Sequence, residues 1–272
     1  MISPMGFDAD VTLRPAGRGA YDLDVPAHWR IGRGATNGGY VAGVMTRALE
    51  EVVTGAGRVP RSLTIHYVAG CGPGPARVTA AVEREGRSMT TLSARMTQGE
   101  ATVALALAAF GAPRPGLDFQ HLPMPEAPPP EEVASWRPAI PGPSFPVNWE
   151  YRLCVGGAPY AQAPEAVSGG WIRPSEPRTL DASQLAAMAD AWLPPVLLLF
   201  DGPRGIVPTI DLTVHFRAAL PLPGATSADY SFAVFSSRVG AEGYWESDGV
   251  IWSRDGRVLA QARQLAVFDL RS

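Results

Sequence analysis

A single aspartate is the clearest candidate for acid–base chemistry. Asp190 lies in the segment SQLAAMADAWLPP, where it is the only carboxylate among mostly apolar residues. The segment is predicted to be a helix whose last turn contains Asp190, and a helix dipole disfavours negative charge at that end. Burial and the dipole both raise the pKa of a carboxyl group, so Asp190 is a candidate general base. The alternative interpretation is an ordinary aspartate at a helix end that meets solvent or an arginine.

An internal repeat places further polar residues in context. The segment LTIHYVAG begins at Leu63, and LTVHFRAA begins 149 positions later at Leu212. In both halves an apolar helix precedes this strand, and a Gly/Pro turn and two long strands joined by a glycine-containing hairpin follow it. Such a repeat indicates two equivalent structural units. We therefore predict that strands 63–69 and 212–218 superpose, with His66 over His215.

Only the second half carries a polar set at the matching positions. The helices and the repeated strands can be aligned directly, and the closing strands are aligned on Phe110 and Phe268. The resulting pairs are Asp190 with Thr46, Thr209 with Pro60, and Gln264 with Ala106. Each replacement removes hydrogen-bonding or acid–base capacity that the activation of a water molecule needs. One working site and one vestigial site is the simpler interpretation, and structural drift is the alternative.

The patterning predicts the elements that position these residues. The helices are expected at NGGYVAGVMTRALEEVV and DASQLAAMADAWLPPVL, the second with Asp181 as its N-cap and with Pro194 and Pro195 ending it. Both are apolar nearly all round, so each should be buried against an antiparallel sheet. Residues 112–148 contain 11 of the 27 prolines and are predicted to form an extended connector. Strand-like alternation restarts at WEYRLCV, residues 149–155.

This order of elements resembles the hot-dog fold, and two such units in one chain resemble the type II acyl-CoA thioesterases of the double hot-dog superfamily. The resemblance rests on NGGYVAGVMTRAL and REGRSMTTLSARMTQ in the first half, and on GGWIRP, ADAWLPP, PTIDLTVHF and DGRVLAQARQ in the second. It covers about residues 30–270 apart from the connector. It implies an α+β protein in which two antiparallel sheets, each wrapping a buried helix, join edge to edge as an intrachain pseudo-dimer. The units would be residues 1–111 with the vestigial site, connector 112–148, and residues 149–272 with the catalytic residues.

The resemblance also implies a mechanism. In that family an aspartate, a threonine and a glutamine hold the attacking water, and on this chain they correspond to Asp190, Thr209 and Gln264. The implied protein is an acyl-CoA thioester hydrolase of lipid metabolism that uses no cofactor, no metal and no covalent intermediate. The prolines that closely follow Asp190 and the shorter span to Thr209 depart from the family pattern. The alternatives are a non-catalytic acyl-thioester binding module and a hot-dog hydratase with an Asp/His pair, for which no motif is recognisable.

Other polar residues receive secondary roles. His66 and His215 occur in both halves and are interpreted as structural. Asp211 is interpreted as a neighbour that orients or caps Thr209. The pair Gly38–Gly39 would let a thioester approach the free N–H groups of the first helix, although the vestigial-site interpretation weakens that role.

Composition argues against several other classes. The net charge of −3 does not suit a nucleic-acid binder, and all 23 basic residues are arginine, which excludes a lysine Schiff base or a P-loop lysine. Cys71 and Cys154 lack a metal-ligand spacing and are expected in a turn and a core strand. The apolar runs TVALALAAF and PPVLLLF are too short to span a bilayer, and the N-terminus does not resemble a secretory signal. We expect a cytoplasmic protein that acts on acyl-CoA and binds neither nucleic acid nor membrane, with assembly into homo-oligomers left open.

Overall fold

The computed structural model describes residues 6–32, 34–55, 57–137, 143–203 and 205–269, which contain three α-helices and fifteen strands. The helices are Phe7–Asp10 (α1), Gly38–Val52 (α2) and Ala182–Met188 (α3). The strands are Arg14–Gly17 (β1), Ala20–Val25 (β2), Arg30–Ile31 (β3), Ala35–Thr36 (β4), Val59–Tyr67 (β5), Gly74–Glu85 (β6), Met89–Gln98 (β7), Ala101–Gly111 (β8), Trp149–Gly156 (β9), Ala166–Pro174 (β10), Thr209–Phe216 (β11), Ser231–Ser237 (β12), Gly240–Ala241 (β13), Tyr244–Trp252 (β14) and Val258–Val267 (β15). Short 3₁₀ turns lie at Ala27–Trp29, Pro130–Glu132, Phe145–Asn148 and Pro195–Leu199.

One continuous antiparallel sheet unites the two halves of the chain. Its strand order is β1-β2-β6-β7-β8-β5-β11-β15-β14-β12-β10-β9, with β13 paired to β14, while β3 and β4 form a separate two-stranded sheet. The two halves have equivalent strand orders: β5-β8-β7-β6-β2-β1 on one side of the centre corresponds to β11-β15-β14-β12-β10-β9 on the other. The sheets expected in the two halves join edge to edge in this one large sheet, because the two copies of the repeated strand pair with each other.

The contact between β5 and β11 lies at the centre of this arrangement. Thr64 is directly opposite Thr213, and the two hydroxyl oxygens are 3.1 Å apart. The two copies of the repeated strand thus occupy matching positions in the sheet, related by a local two-fold axis near these threonines. His66 and His215 are both exposed, on the face away from the core, so neither contributes to packing in the interior.

Helices α2 and α3 pack against each other on the other face of the sheet. Asn37 caps α2 by accepting a hydrogen bond from the Tyr40 N–H, and Asp181 caps α3 by accepting one from the Gln184 N–H, which confirms the predicted N-cap. A side chain at Gly39 would overlap the backbone carbonyl oxygen of Ala187. Glycine at this position therefore lets the two helices approach closely.

Helix α3 is shorter than the sequence predicted. It ends at Met188, and the N–H groups of Asp190 and Ala191 bond back to the carbonyls of Ala187 and Met188 in a tighter turn. Pro194 and Pro195 were expected to end the helix, but the chain leaves α-helical geometry earlier, after Met188. Asp190 consequently lies beyond the helix and not in its last turn.

The proline-rich connector packs over the second half of the sheet. Its described residues, 112–137 and 143–148, contain no strand, as predicted. Trp171 and Trp252 donate indole hydrogen bonds to the carbonyls of Pro128 and Leu122, at 2.8 and 3.2 Å. The connector thus covers apolar side chains on this outer face. Among the described residues, no helix is long and apolar enough to cross a membrane.

Candidate active site

Asp190 lies where the turn after α3 meets the N-terminus of α2. Its Oδ2 accepts hydrogen bonds from the Gly39 N–H at 2.9 Å and from Asn37 Nδ2 at 3.1 Å. The same Asn37 Nδ2 lies 3.1 Å from the Asp190 backbone oxygen. The asparagine that caps α2 therefore also fixes Asp190, and the positive end of the α2 dipole points at the carboxylate.

Two opposing influences set the acidity of Asp190. Burial raises the pKa of its carboxyl group to about 6, while hydrogen bonds from Gly39, Gln264 and Asn37 and the backbone of Gly38 act to lower it. The burial effect wins because these donors compensate only part of the lost hydration. A carboxyl group with this pKa is ionised at neutral pH and is a stronger base than an ordinary aspartate.

The other two predicted residues lie beside Asp190. Thr209 begins β11 and donates a hydrogen bond from Oγ1 to Oε1 of Gln264 at 2.9 Å. Gln264 lies in β15, is only 7% exposed, and its side chain acts directly on Asp190. The structure thus brings Asp190, Thr209 and Gln264 together from three separate elements.

The first half also contributes to this site, which was not expected. Tyr67, at the end of β5, donates a hydrogen bond from its hydroxyl to the Gly38 carbonyl at 2.8 Å. A side chain at Gly38 would come within 3.0 Å of both Asp190 Oδ2 and the Tyr67 hydroxyl. The N-terminus of the helix in the first half therefore also holds Asp190 of the second half. The sequence signal for this contact was the Asn37 cap followed by two glycines.

The comparisons with known proteins now identify the family. Residues 123–268 match the model of the acyl-CoA thioesterase C-terminal domain, and residues 25–111 match that of the acyl-CoA thioesterase N-terminal domain. The chain belongs to the acyl-CoA thioesterase family. It is accordingly an enzyme that acts on thioesters.

Solved structures give the fold of this thioesterase. A protein from Alicyclobacillus acidocaldarius with a hot-dog fold is 28% identical, with a TM-score of 0.88 and 98% of both chains covered. An acyl-CoA thioesterase II of Mycobacterium marinum superposes with a TM-score of 0.76 at 20% identity, covering 98% of this chain and 99% of that one. An uncharacterised protein of Mycobacterium tuberculosis is 25% identical over 91% of this chain and 90% of its own length. The thioesterase therefore has a hot-dog fold.

Strand register corrects one of the predicted pairs in the thioesterase. Leu212 pairs with Gln264, and the matching Leu63 pairs with Ala108. Gln264 thus corresponds to Ala108 and not to Ala106. The alignment of Phe110 with Phe268 was two residues out of register. Phe110 pairs with Pro60, and Ala266 pairs with the matching Thr209, so Phe110 corresponds to Ala266. The replacement is alanine in either case, so the loss of hydrogen-bonding capacity in the first half stands.

Two other expectations for the thioesterase fail. The N–H groups at the start of α2 are not free for a carbonyl oxygen, because those of Gly39 and Tyr40 already donate to Asp190 and Asn37. Asp211 does not orient Thr209 through a hydrogen bond in the described structure, and instead accepts one from the Leu265 N–H at 3.3 Å. Its side chain acts electrostatically on Tyr67.

Neither cysteine of the thioesterase has the character of a nucleophile. Burial raises the pKa of Cys71 to about 11, and burial also raises the pKa of the half-buried Cys154. Both thiols are therefore protonated at neutral pH. No group of three or more His, Cys, Asp or Glu side chains within the described ranges could hold a metal ion.

A cavity of about 400 Å³ lies at the C-terminal end of α3 in the thioesterase. Met188, two residues before Asp190, is part of its lining, and so are residues of the loop that follows β11. Its apolar lining consists mainly of Leu180, Met188, Leu220, Leu222 and Leu259. The two arginines in its lining are paired within the protein, Arg178 with Asp181 and Arg254 with Glu131.

Proposed function

We propose that the protein hydrolyses acyl-CoA by activating a water molecule with Asp190, with neither a metal nor a covalent intermediate. The observation that carries this proposal is the position of Asp190. Its carboxyl group has a pKa of about 6, is fixed by Gly39 and Asn37, and lies beside the Thr209–Gln264 pair. Such a group can take a proton at neutral pH, and the neighbouring hydroxyl and amide can orient the water.

The proposed reaction conserves protons and electron pairs at each step. Asp190 takes one proton from the water while the water oxygen attacks the thioester carbonyl carbon. This gives a tetrahedral intermediate in which the former carbonyl oxygen is negative. That oxygen then re-forms the carbonyl while the carbon–sulfur bond breaks. The leaving sulfur takes the electron pair and receives the proton from Asp190. The products are the carboxylic acid and free CoA thiol.

The internal symmetry supports the finer architecture. We propose that the chain is a double hot-dog protein whose halves form an intrachain pseudo-dimer about the Thr64–Thr213 contact. The boundaries at 1–111, 112–148 and 149–272 belong to this proposal. An asymmetric pair of this kind places one carboxylate against the helix N-terminus of the opposite half.

Release of free thiol from a series of acyl-CoA substrates tests the proposed activity. We expect thiol release that is retained after exhaustive treatment with a metal chelator, since no step uses a metal. Calorimetry with the same substrates provides the parallel measurement of binding. A protein that binds acyl-CoA and releases no thiol at any chain length would instead be a binding module.

The Thr209–Gln264 pair is expected to contribute less than Asp190. Thr209→Ala and Gln264→Ala should each lower kcat by a smaller factor than loss of the base, because they orient the water and do not take its proton. The double variant should lose less than the product of the single losses, since both residues serve one water molecule. Steady-state kinetics of the four proteins measures this, and strictly multiplicative losses would contradict a shared role.

The cavity at the end of α3 is proposed to take the acyl chain. Met188, the last residue of α3, is part of its lining, most of its lining side chains are apolar, and its volume of about 400 Å³ lies in the range of ordinary ligand sites. Each methylene group that it buries should improve kcat/KM by about fourfold until the cavity is full. Long-chain substrates should therefore depend on it, and short-chain substrates should not.

Leu222→Trp, which narrows the cavity, should lower kcat/KM for long acyl chains and leave that for acetyl-CoA unchanged. Leu117→Trp is the matched control, because Leu117 is 94% exposed and lies in the connector. Kinetics over a series of chain lengths provides the measurement. Equal losses at every length would show that the cavity does not hold the chain.

A further inference from the structure

A buried hydroxyl lies beside Gln264 without a hydrogen-bond partner. Ser247 in β14 is directly opposite Gln264 in β15, and it is only 2% exposed. Its Oγ makes no hydrogen bond within the part of the chain that the structure describes. A buried polar group without a partner destabilises a protein, so the presence of a hydroxyl here requires an explanation.

The internal repeat provides a comparison within the same molecule. The matching position in the first half is Leu92 in β7, which lies opposite Ala108 in β8. Leu92 is fully buried, so this position in the sheet accommodates a large apolar side chain. The polar pair Ser247–Gln264 occurs in the half that contains the candidate catalytic set, and the apolar pair occurs in the half that lacks it. The serine thus accompanies the candidate catalytic set.

The proposed reaction requires a donor to the thioester carbonyl oxygen, and three of the donors at the described site are already engaged. Negative charge develops on the thioester carbonyl oxygen, and hydrolases stabilise such an oxygen with fixed donors in a site shielded from water. The N–H groups of Gly39 and Tyr40 are already engaged, and the Thr209 hydroxyl donates to Gln264. Ser247 retains an unused O–H one cross-strand distance from Gln264, about 5 Å between Cβ atoms.

We propose that Ser247 donates a hydrogen bond to the thioester carbonyl oxygen and stabilises its negative charge in the tetrahedral intermediate. This inference rests on the proposed hydrolysis. Ser247 keeps its proton throughout, and the electron pair on the carbonyl oxygen returns to the carbon as the carbon–sulfur bond breaks. The role differs from that of Asp190, which alone carries the proton from the water to the leaving sulfur.

The test compares Ser247→Ala and Ser247→Thr with the wild type. Loss of one such donor typically costs about 10²–10³ in kcat, so we expect a fall of that size in Ser247→Ala with KM nearly unchanged. Ser247→Thr, which keeps the hydroxyl, should recover part of the loss. The melting temperature of Ser247→Ala should stay the same or rise, because the substitution removes an unpaired buried hydroxyl.

Ser237→Ala is the matched control. Ser237 ends β12, and its Oγ also lacks a partner among the described residues, but it lies one strand further from Gln264 than Ser247 does, because β12 pairs with β14 and not with β15. Its kcat should equal that of the wild type. If Ser247→Ala keeps kcat within threefold of wild type, or raises KM alone, the inference is overturned.

The pH dependence separates this inference from the proposed function. A direct contact with the carbonyl oxygen leaves the apparent pKa of the rate profile where Asp190 places it, so a shifted profile in Ser247→Ala would mean that Ser247 acts through Asp190 and would also overturn the inference. Full activity in Asp190→Asn would contradict the assignment of Asp190 as the base, while the effect of Ser247→Ala on kcat could still be measured. A wild type without thiol release would contradict both the proposed function and the role of Ser247.

Discussion

Asp190→Asn is expected to lower kcat for acyl-CoA hydrolysis by about 10²–10⁴, the usual contribution of a general base. Asparagine has nearly the same shape and can still accept hydrogen bonds from Gly39 and Asn37 through its amide oxygen. It cannot take a proton from water. Binding of acyl-CoA should therefore persist, as calorimetry with the variant would measure.

The stability of Asp190→Asn distinguishes a lost base from a damaged fold. The folded-state pKa of Asp190, about 6, lies above the ordinary value, so the folded protein binds this proton more tightly than the unfolded chain does. Ionisation of Asp190 consequently lowers the stability of the folded state as the pH rises from about 4 to about 6. The neutral asparagine avoids this loss, and the melting temperature of the variant at neutral pH should match or exceed that of the wild type. A lower melting temperature together with lost activity would point to misfolding.

Gly39→Ala is expected to impair both stability and catalysis. The new Cβ would overlap the Ala187 carbonyl oxygen and lie 3.1 Å from the Cβ of Asp190. Because the first obstacle is backbone, relief requires α2 and α3 to separate, and overpacking of this kind typically costs about 1–3 kcal/mol. The higher helix propensity of alanine, worth about 1 kcal/mol, does not offset that cost. The separation also moves the Gly39 N–H away from Asp190, so kcat should fall as well.

Chemical denaturation and steady-state kinetics measure the two effects of Gly39→Ala. Gly116→Ala is the control, since no atom lies within 4 Å of a Cβ built at Gly116, and it should change neither quantity. Unchanged stability in Gly39→Ala would show that the helices are not in the close contact described here.

The repeat made much of the fold predictable from the sequence. Two copies of one strand, each followed by the same succession of turn, strand and hairpin, match the strand order observed on both sides of β5 and β11. The glycines at the two hairpins, Gly99 and Gly256, adopt the positive φ angles that such turns require. These features depend on local sequence, where the backbone preferences of single residues are decisive.

The parts that were not predicted depend on contacts between distant segments. The alignment on Phe110 and Phe268 failed because strand register is set by cross-strand pairing and bulges, which a comparison of the two segments does not contain. The contact of Asp190 with Asn37 and Gly39 joins residues about 150 positions apart. No periodicity in either half specifies which helix end meets the other.

Asp181 is the counterpart of Asn37 in the repeat, and its contacts explain why its surroundings differ from the candidate active site. Asp181 caps α3 as Asn37 caps α2, but its side chain accepts hydrogen bonds from Arg47 and Arg178 at 3.2 and 2.8 Å. Burial would raise the pKa of Asp181, yet Arg178 holds it below the ordinary value. Thr46, the counterpart of Asp190, donates to the Ala42 carbonyl of its own helix. An ion-pair network of Asp181 with Arg47 and Arg178 thus occupies the second position.

The pH dependence of kcat/KM tests the central role of Asp190 most directly, because this ratio reports the ionisation of the free enzyme. The wild type should show a rate that rises with pH to a plateau, with an apparent pKa of about 6, since only the ionised carboxylate accepts the proton. The residual rate of Asp190→Asn should lack this rise. A wild-type rate that is constant across this range, or the same rise in Asp190→Asn, would contradict the assignment of Asp190 as the base.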